Sequence, residues 1–189
     1  MNYKWFLFGA SLLLASNLPG RASITTDLSD NLGKVYFGSD ALSDTEWDAQ
    51  AFHSGTVTNL ASVTLNLFRK EGASGTYWVK LYDQSGPENK PGTNSVATLA
   101  TGLLVSDLSS TNADDTITLS PSVPLNPGTG YYIVVGTDVG ATGLQWGFTN
   151  DPLGAPGFPS SFSSTSDSGA SWRATWTPLP QRMKVTGLE

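Results

Sequence analysis

Apolar and polar side chains alternate along most of the chain, and no stretch sustains a helical period. The pattern predicts an all-β protein with little helix. Val63, Leu65 and Leu67 face one way while Ser62, Thr64 and Asn66 face the other, as in a half-buried strand. Tyr77, Val79 and Leu81 alternate with Trp78, Lys80 and Tyr82 in the next strand, and residues 70–75 between them read as a hairpin loop. Residues 84–93 hold Pro87, Pro91, Gly86 and Gly92, which do not fit a ladder, so this segment reads as a long polar loop. Weaker strands are expected at residues 96–99 and 103–106, and a clearer one at 115–119 with Ile117 and Leu119 inward. Residues 144–149, 171–176 and 182–188 supply the remaining strands. Residues 151–170 carry no pattern and read as a loop, ending in a Ser-rich run.

The most legible stretch is residues 125–135, a turn that runs straight into a strand apolar on both faces. Pro127 fixes φ and removes an N–H, while Gly128 and Gly130 open conformations closed to other residues. The following Tyr-Tyr-Ile-Val-Val is aromatic and β-branched. Tyr131 is placed to hydrogen-bond back to upstream backbone, as a tyrosine does at the corner of a sandwich. About nine or ten short strands separated by turn signals suit an antiparallel β-sandwich of jelly-roll type.

The first residues add a compartment. Lys4 precedes an apolar run at residues 5–15, and small residues stand at Gly20 and Ala22 before Ser23. Residues 1–22 therefore read as a cleaved secretory signal peptide, leaving residues 23–189 as a single sandwich domain. The apolar run is shorter than the roughly 20 residues that span a bilayer, so no membrane insertion is expected after cleavage. The whole chain carries a formal charge of −6, and ten basic residues less Lys4 and Arg21 leave eight against sixteen acidic ones. Such a surface disfavours nucleic acid and anionic membrane as partners, since both need a basic patch. There is no cysteine, hence no disulfide, and the core alone must hold the exported domain.

Several segments, in order, resemble the secreted bacterial choice-of-anchor R domain. They are Ala49-Gln50-Ala51-Phe52, Leu60-Ala61-Ser62-Val63-Thr64-Leu65-Asn66-Leu67, Val79-Lys80-Leu81-Tyr82-Asp83, Pro91-Gly92-Thr93, the corner through Tyr132, and Trp146. The resemblance spans roughly residues 31–188. It implies an exported β-sandwich module with no defined activity and no catalytic residues to carry over. Members commonly end in a Pro-Glu-Pro motif, an apolar helix and a basic tail, whereas this sequence ends at Gly187-Leu188-Glu189.

Candidate chemistry is sparse. Without cysteine, Cys-His arrangements are excluded, and since His53 is the only histidine, a Ser-His-Asp triad would rest on one residue that reads as the polar end of a strand. Glu46 and Asp48 flank Trp47, but they stand two apart near a strand start, where solvated charges are ordinary. No enzyme is expected. Asp40, Asp44 and Asp48 are candidate oxygen ligands for a structural calcium, with solvated acidic loops as the alternative. Trp78 and Tyr82 lie opposite an apolar face that already supplies a core, so they are expected to be exposed and able to stack a sugar ring. Trp172 and Trp176 look like core, and Trp146 reads as packing. The expected function is a non-catalytic secreted or cell-envelope module in adhesion, extracellular matrix or surface assembly, with a glycan or surface protein as partner. A carbohydrate-binding module is the alternative, and a glycan-active enzyme a distant third.

Overall fold

The computed structural model describes residues 24–154, 159, 161–174 and 179–189. The leader read at residues 1–22, and Trp176, lie outside the described residues. The protein is an all-β sandwich of three antiparallel sheets. A four-stranded sheet runs in the order β1 (Thr25–Asp30), β13 (Met183–Leu188), β4 (Asn59–Leu65), β8 (Asp115–Pro124). A three-stranded sheet runs β2 (Gly38–Leu42), β10 (Thr142–Phe148), β5 (Leu67–Ser74). The third has six strands in the order β12 (Arg173–Ala174), β11 (Phe162–Thr165), β3 (Trp47–His53), β9 (Gly130–Thr137), β6 (Thr76–Asp83), β7 (Ser95–Leu104).

Thirteen strands among the described residues exceed the nine or ten that the turn signals mark. The apolar-polar strand at 62–67 breaks at Asn66, whose N–H and C=O leave the ladder for Arg182 and Gly147. Residues 70–75 are not a hairpin loop. β5 continues through most of them and pairs with β10, while β6 joins a different sheet beside β9. The chain changes sheet at Gly75, which has φ of 86° and whose Cα lies against Ala141, so a side chain there would meet both obstacles. The two strands expected at residues 96–99 and 103–106 are one strand, β7, which ends at Leu104 before a 3-10 turn at Val105–Asp107, with Gly102 at φ of 68° accommodating a register shift. Within the Ser-rich run, Phe162–Thr165 forms β11 against β3.

The main core lies between the six-stranded sheet and the other two. Tyr77, Val79, Leu81, Phe52, Ile133 and Val135 meet Leu60, Val63, Leu65, Leu67, Leu144, Trp146, Met183 and Val185, all buried. The opposite face of the six-stranded sheet is also covered, by a second cluster of Ala49, Ala51, Trp78, Tyr82, Tyr132 and Val134 with Trp47 and Trp172 packed on it. β9 is therefore apolar on both faces because both faces are buried.

The corner forms as its residues suggest. Gly128 sits at φ of 70° and its N–H reaches the Gly55 carbonyl at 2.7 Å. Gly130 serves a different need, since a Cβ there would strike the Gln84 side chain. The Tyr131 hydroxyl accepts the Asn126 N–H at 2.8 Å, and the ring stacks on Phe52 with centroids 5.7 Å apart. Ser54 completes the turn, donating to the Asn126 carbonyl at 2.7 Å and accepting the Thr129 N–H at 3.0 Å. Tyr131→Phe keeps the stack and removes the acceptor, so chemical denaturation should show a loss of about 1 kcal/mol. An unchanged midpoint would make the corner ordinary packing.

Candidate functional site

The expected sugar platform is closed. Trp78 and Tyr82 are 5% and 7% exposed, which corrects the expectation that they face solvent. Trp47 stands edge-on to Trp78, with centroids 4.6 Å apart, and Trp172 stands edge-on to Tyr82 at 6.1 Å. Gly136 permits this approach, because a Cβ there would collide with Trp78 and lie 2.7 Å from Trp47 Cδ1. The Trp47 indole N–H donates to the Asp44 carbonyl at 3.1 Å, which anchors the ring over the sheet. Lys80 holds its ammonium 4.2 Å from the centre of a Trp78 ring. Burial raises the Tyr82 hydroxyl above its ordinary pKa. Trp172 is half-buried on this layer, and Trp146 is fully buried, as packing requires.

The acidic residues separate into different uses. Asp40, on β2, points to the interior face of its sheet, opposite Trp146 in the register. Asp48, on β3, is buried. Gln181 joins them: its Nε2 donates to Asp40 Oδ2 at 2.7 Å and to Asp48 Oδ2 at 3.2 Å. Asp44 is not part of this group, because it sits in the β2–β3 turn, where its carbonyl accepts from Trp47 and from the Ser168 hydroxyl. The proposed calcium set therefore loses a member, and no three His, Cys, Asp or Glu side chains converge on a metal position among the described residues. Asp27 and Asp30 pair with Lys184 at 2.8 and 3.4 Å, Asp114 accepts from Asn66 and Asp115 from Tyr77.

Asp40, Glu46 and Asp48 line a cavity of about 410 Å³ that also holds Ser164, Thr165 and Arg173. Burial is the first cause that pushes the Asp48 carboxyl well above the carboxylate range, and the charges of Asp40 and Glu46 push it further. Burial also raises Asp40, and its hydrogen bond from Gln181 works against that rise. The pair is legible in the sequence only as separate acids. Gln181 carries no sequence signal, being one polar residue before the last strand. His53 lies apart, exposed at the end of β3 beside a smaller cavity with Asp27 and Ser54, and the Ser54 hydroxyl is engaged by the corner.

Two outcomes test these assignments. Trp78→Ala should cost about 3–5 kcal/mol in unfolding free energy, the scale for truncating a buried aromatic. A loss near zero would return Trp78 to the surface. For Asp48, a folded pKa above the unfolded value near 3.9 means the folded state keeps a proton that the unfolded chain releases. Stability from this group is thus fully present below about pH 3.9 and declines as pH rises toward the folded pKa. Asp48→Asn should melt higher than wild type at pH 7, with the difference vanishing near pH 3, as differential scanning calorimetry over that range would reveal. A variant that melts lower at pH 7 would refute the burial reading.

No family model matches the chain, and no curated protein matches it either.

Proposed function

We propose that this chain is a non-catalytic β-sandwich module working outside the cell or in its envelope, in adhesion, extracellular matrix or surface assembly. The observation that carries this reading is an exposed apolar run in the β1–β2 loop. Val35, Tyr36 and Phe37 are 77%, 39% and 59% exposed, in a protein whose tryptophans serve its packing where they are described. The Phe37 ring lies 6.2 Å from Phe148, and Tyr36 stands edge-on to Phe68 at 6.2 Å, so the run joins aromatic residues of the three-stranded sheet. Contiguous exposed apolar surface of this kind marks contact with a partner. The reading of residues 1–22 as a leader and the resemblance to the choice-of-anchor R domain support the same placement, and the acidic balance supports partners other than nucleic acid. Carbohydrate binding is the second reading, and it moves from Trp78 and Tyr82 to the exposed pair Tyr36 and Phe37.

Bacteria displaying the chain should attach to a surface or to one another, and the double variant Val35→Ser, Phe37→Ser should abolish that attachment without lowering the melting temperature. Attachment at the level of an empty display vector would sink the adhesion reading. A glycan array probed with the same two proteins separates the readings, because saturable signal lost in the double variant selects carbohydrate. N-terminal sequencing of exported protein should begin near Ser23, and an intact Met1 would remove the leader.

A further inference from the structure

We propose that the groove beside β1 binds a neutral oligosaccharide. This deepens the carbohydrate reading and rests on it, because Lys34, which lines the groove, directly precedes the exposed run that starts at Val35. The groove encloses about 840 Å³, on the scale of pockets that hold ligands. Thr25, Thr26, Asp27 and Asp30 of β1 line it together with Leu153 and Gly154 of the segment after β10. The Lys34 ammonium holds Asp151 Oδ2 at 2.9 Å, and Asp151 Oδ1 accepts the Leu153 N–H at 2.9 Å. The part of the wall that carries Leu153 is thereby tied to the β1–β2 loop.

The lining selects the class of ligand. Each charged group in it already has a partner: Asp27 and Asp30 share Lys184 at 2.8 and 3.4 Å, and Lys34 has Asp151. An anion would meet the two carboxylates and a cation would find Lys184 in its place, whereas an uncharged ligand disturbs neither pair. Hydrogen-bonding capacity is left over, since Asp27 gives only Oδ2 to Lys184 and the Thr25 and Thr26 hydroxyls have no partner among the described residues. Asn31 lines the groove as well, at 1% exposed, and its carboxamide donates to the Gln181 carbonyl and accepts the Met183 N–H. That part of the wall is rigid before a ligand arrives. Leu153 and Val35, each close in sequence to one member of the Lys34–Asp151 pair, are 69% and 77% exposed. Acceptors and hydroxyls beside exposed aliphatic surface match a sugar, which carries hydroxyls at its rim and C–H groups on its faces. A peptide strand fits less well. β1 is an edge strand, but the register shift between Asp27 and Ser29 and the two carboxylates are devices that keep other strands off such an edge.

The purified chain is titrated in an isothermal calorimeter with cellotetraose, mannotetraose, chitotetraose, tetragalacturonate and an octapeptide of alternating threonine and lysine. Saturable binding of at least one of the three neutral sugars is expected, with the anionic sugar and the peptide inert. Asp27→Ala and Leu153→Ser, each shown to be folded by its melting curve, should weaken that binding at least about fivefold. If both variants bind as wild type does while Val35→Ser, Phe37→Ser loses binding, the groove is overturned and the carbohydrate reading stands on the exposed run alone. Silence from all three neutral sugars overturns both. Binding of tetragalacturonate alone or of the peptide alone overturns the groove's assignment to a neutral glycan.

Discussion

The segment Gln181-Arg182-Met183 enters the interior where the three sheets meet, and hydrogen bonds hold it from every side. The Gln181 N–H donates to Gln50 Oε1 on β3 at 2.9 Å, and its carbonyl accepts from Asn31 Nδ2 at 3.0 Å. The Arg182 carbonyl accepts both the Asn66 N–H and the Trp146 indole at 3.1 Å, while its N–H donates to Gly147 at 2.8 Å. The Met183 N–H donates to Asn31 Oδ1 at 2.7 Å, and the Arg182 guanidinium closes on the Leu32 carbonyl. Each group is one that burial would penalise if left unmade, so the sheets pack only with this strap in place.

The strap explains features that look unrelated. Asn66 interrupts the strand at 62–67 because its backbone is needed by Arg182 and Gly147, and the break lets β4 and β5 belong to different sheets. Gly147 is a glycine because a Cβ would collide with the Asn66 side chain at the same crossing. With β10 and β13 held close through Gln181 and Phe148, the two smaller sheets act as one layer over the six-stranded sheet. The core between the layers then fills with aliphatic residues from all three.

How much of this the sequence disclosed depends on the range over which each residue acts. The corner was legible because Pro127, Gly128 and Tyr131 work within five residues of Asn126. The strands of residues 62–65, 77–81 and 131–137 were legible because alternation and β-branching are local. The sheet change at Gly75 was not, because a glycine in a hairpin and a glycine against Ala141 look alike in sequence. The exposure of Trp78 and Tyr82 failed for a reason the sequence did contain. β9 is apolar on both faces, so its neighbour β6 had to be covered on both as well, and the covering rings come from Trp47 and Trp172. Asp40 and Asp48 looked like one loop cluster with Asp44, but strand direction separates them: two face the interior and the turn residue is held by its backbone. Gln181 lies 133 residues from Asp48, a separation at which no spacing rule operates.

The carboxylate pair is the one part of the interior that the strap does not need. Gln50 and Asn31 already satisfy the Gln181 backbone, and Gly147, Asn66 and Trp146 satisfy that of Arg182. Asp40 and Asp48 engage only the Gln181 side chain, so three apolar residues at positions 40, 48 and 181 would leave no backbone group orphaned. Buried ionisable groups replaced by well-packed apolar ones commonly leave a protein equally or more stable. Glycines at 136 and 147 give way to rings and amides, which shows how closely the interior is packed around them. Local departures from such consistency concentrate where a protein serves something besides its own stability. The acids between β2 and β3 are such a departure, since they line an open cavity while the Gln181 side chain that holds them stays enclosed behind them.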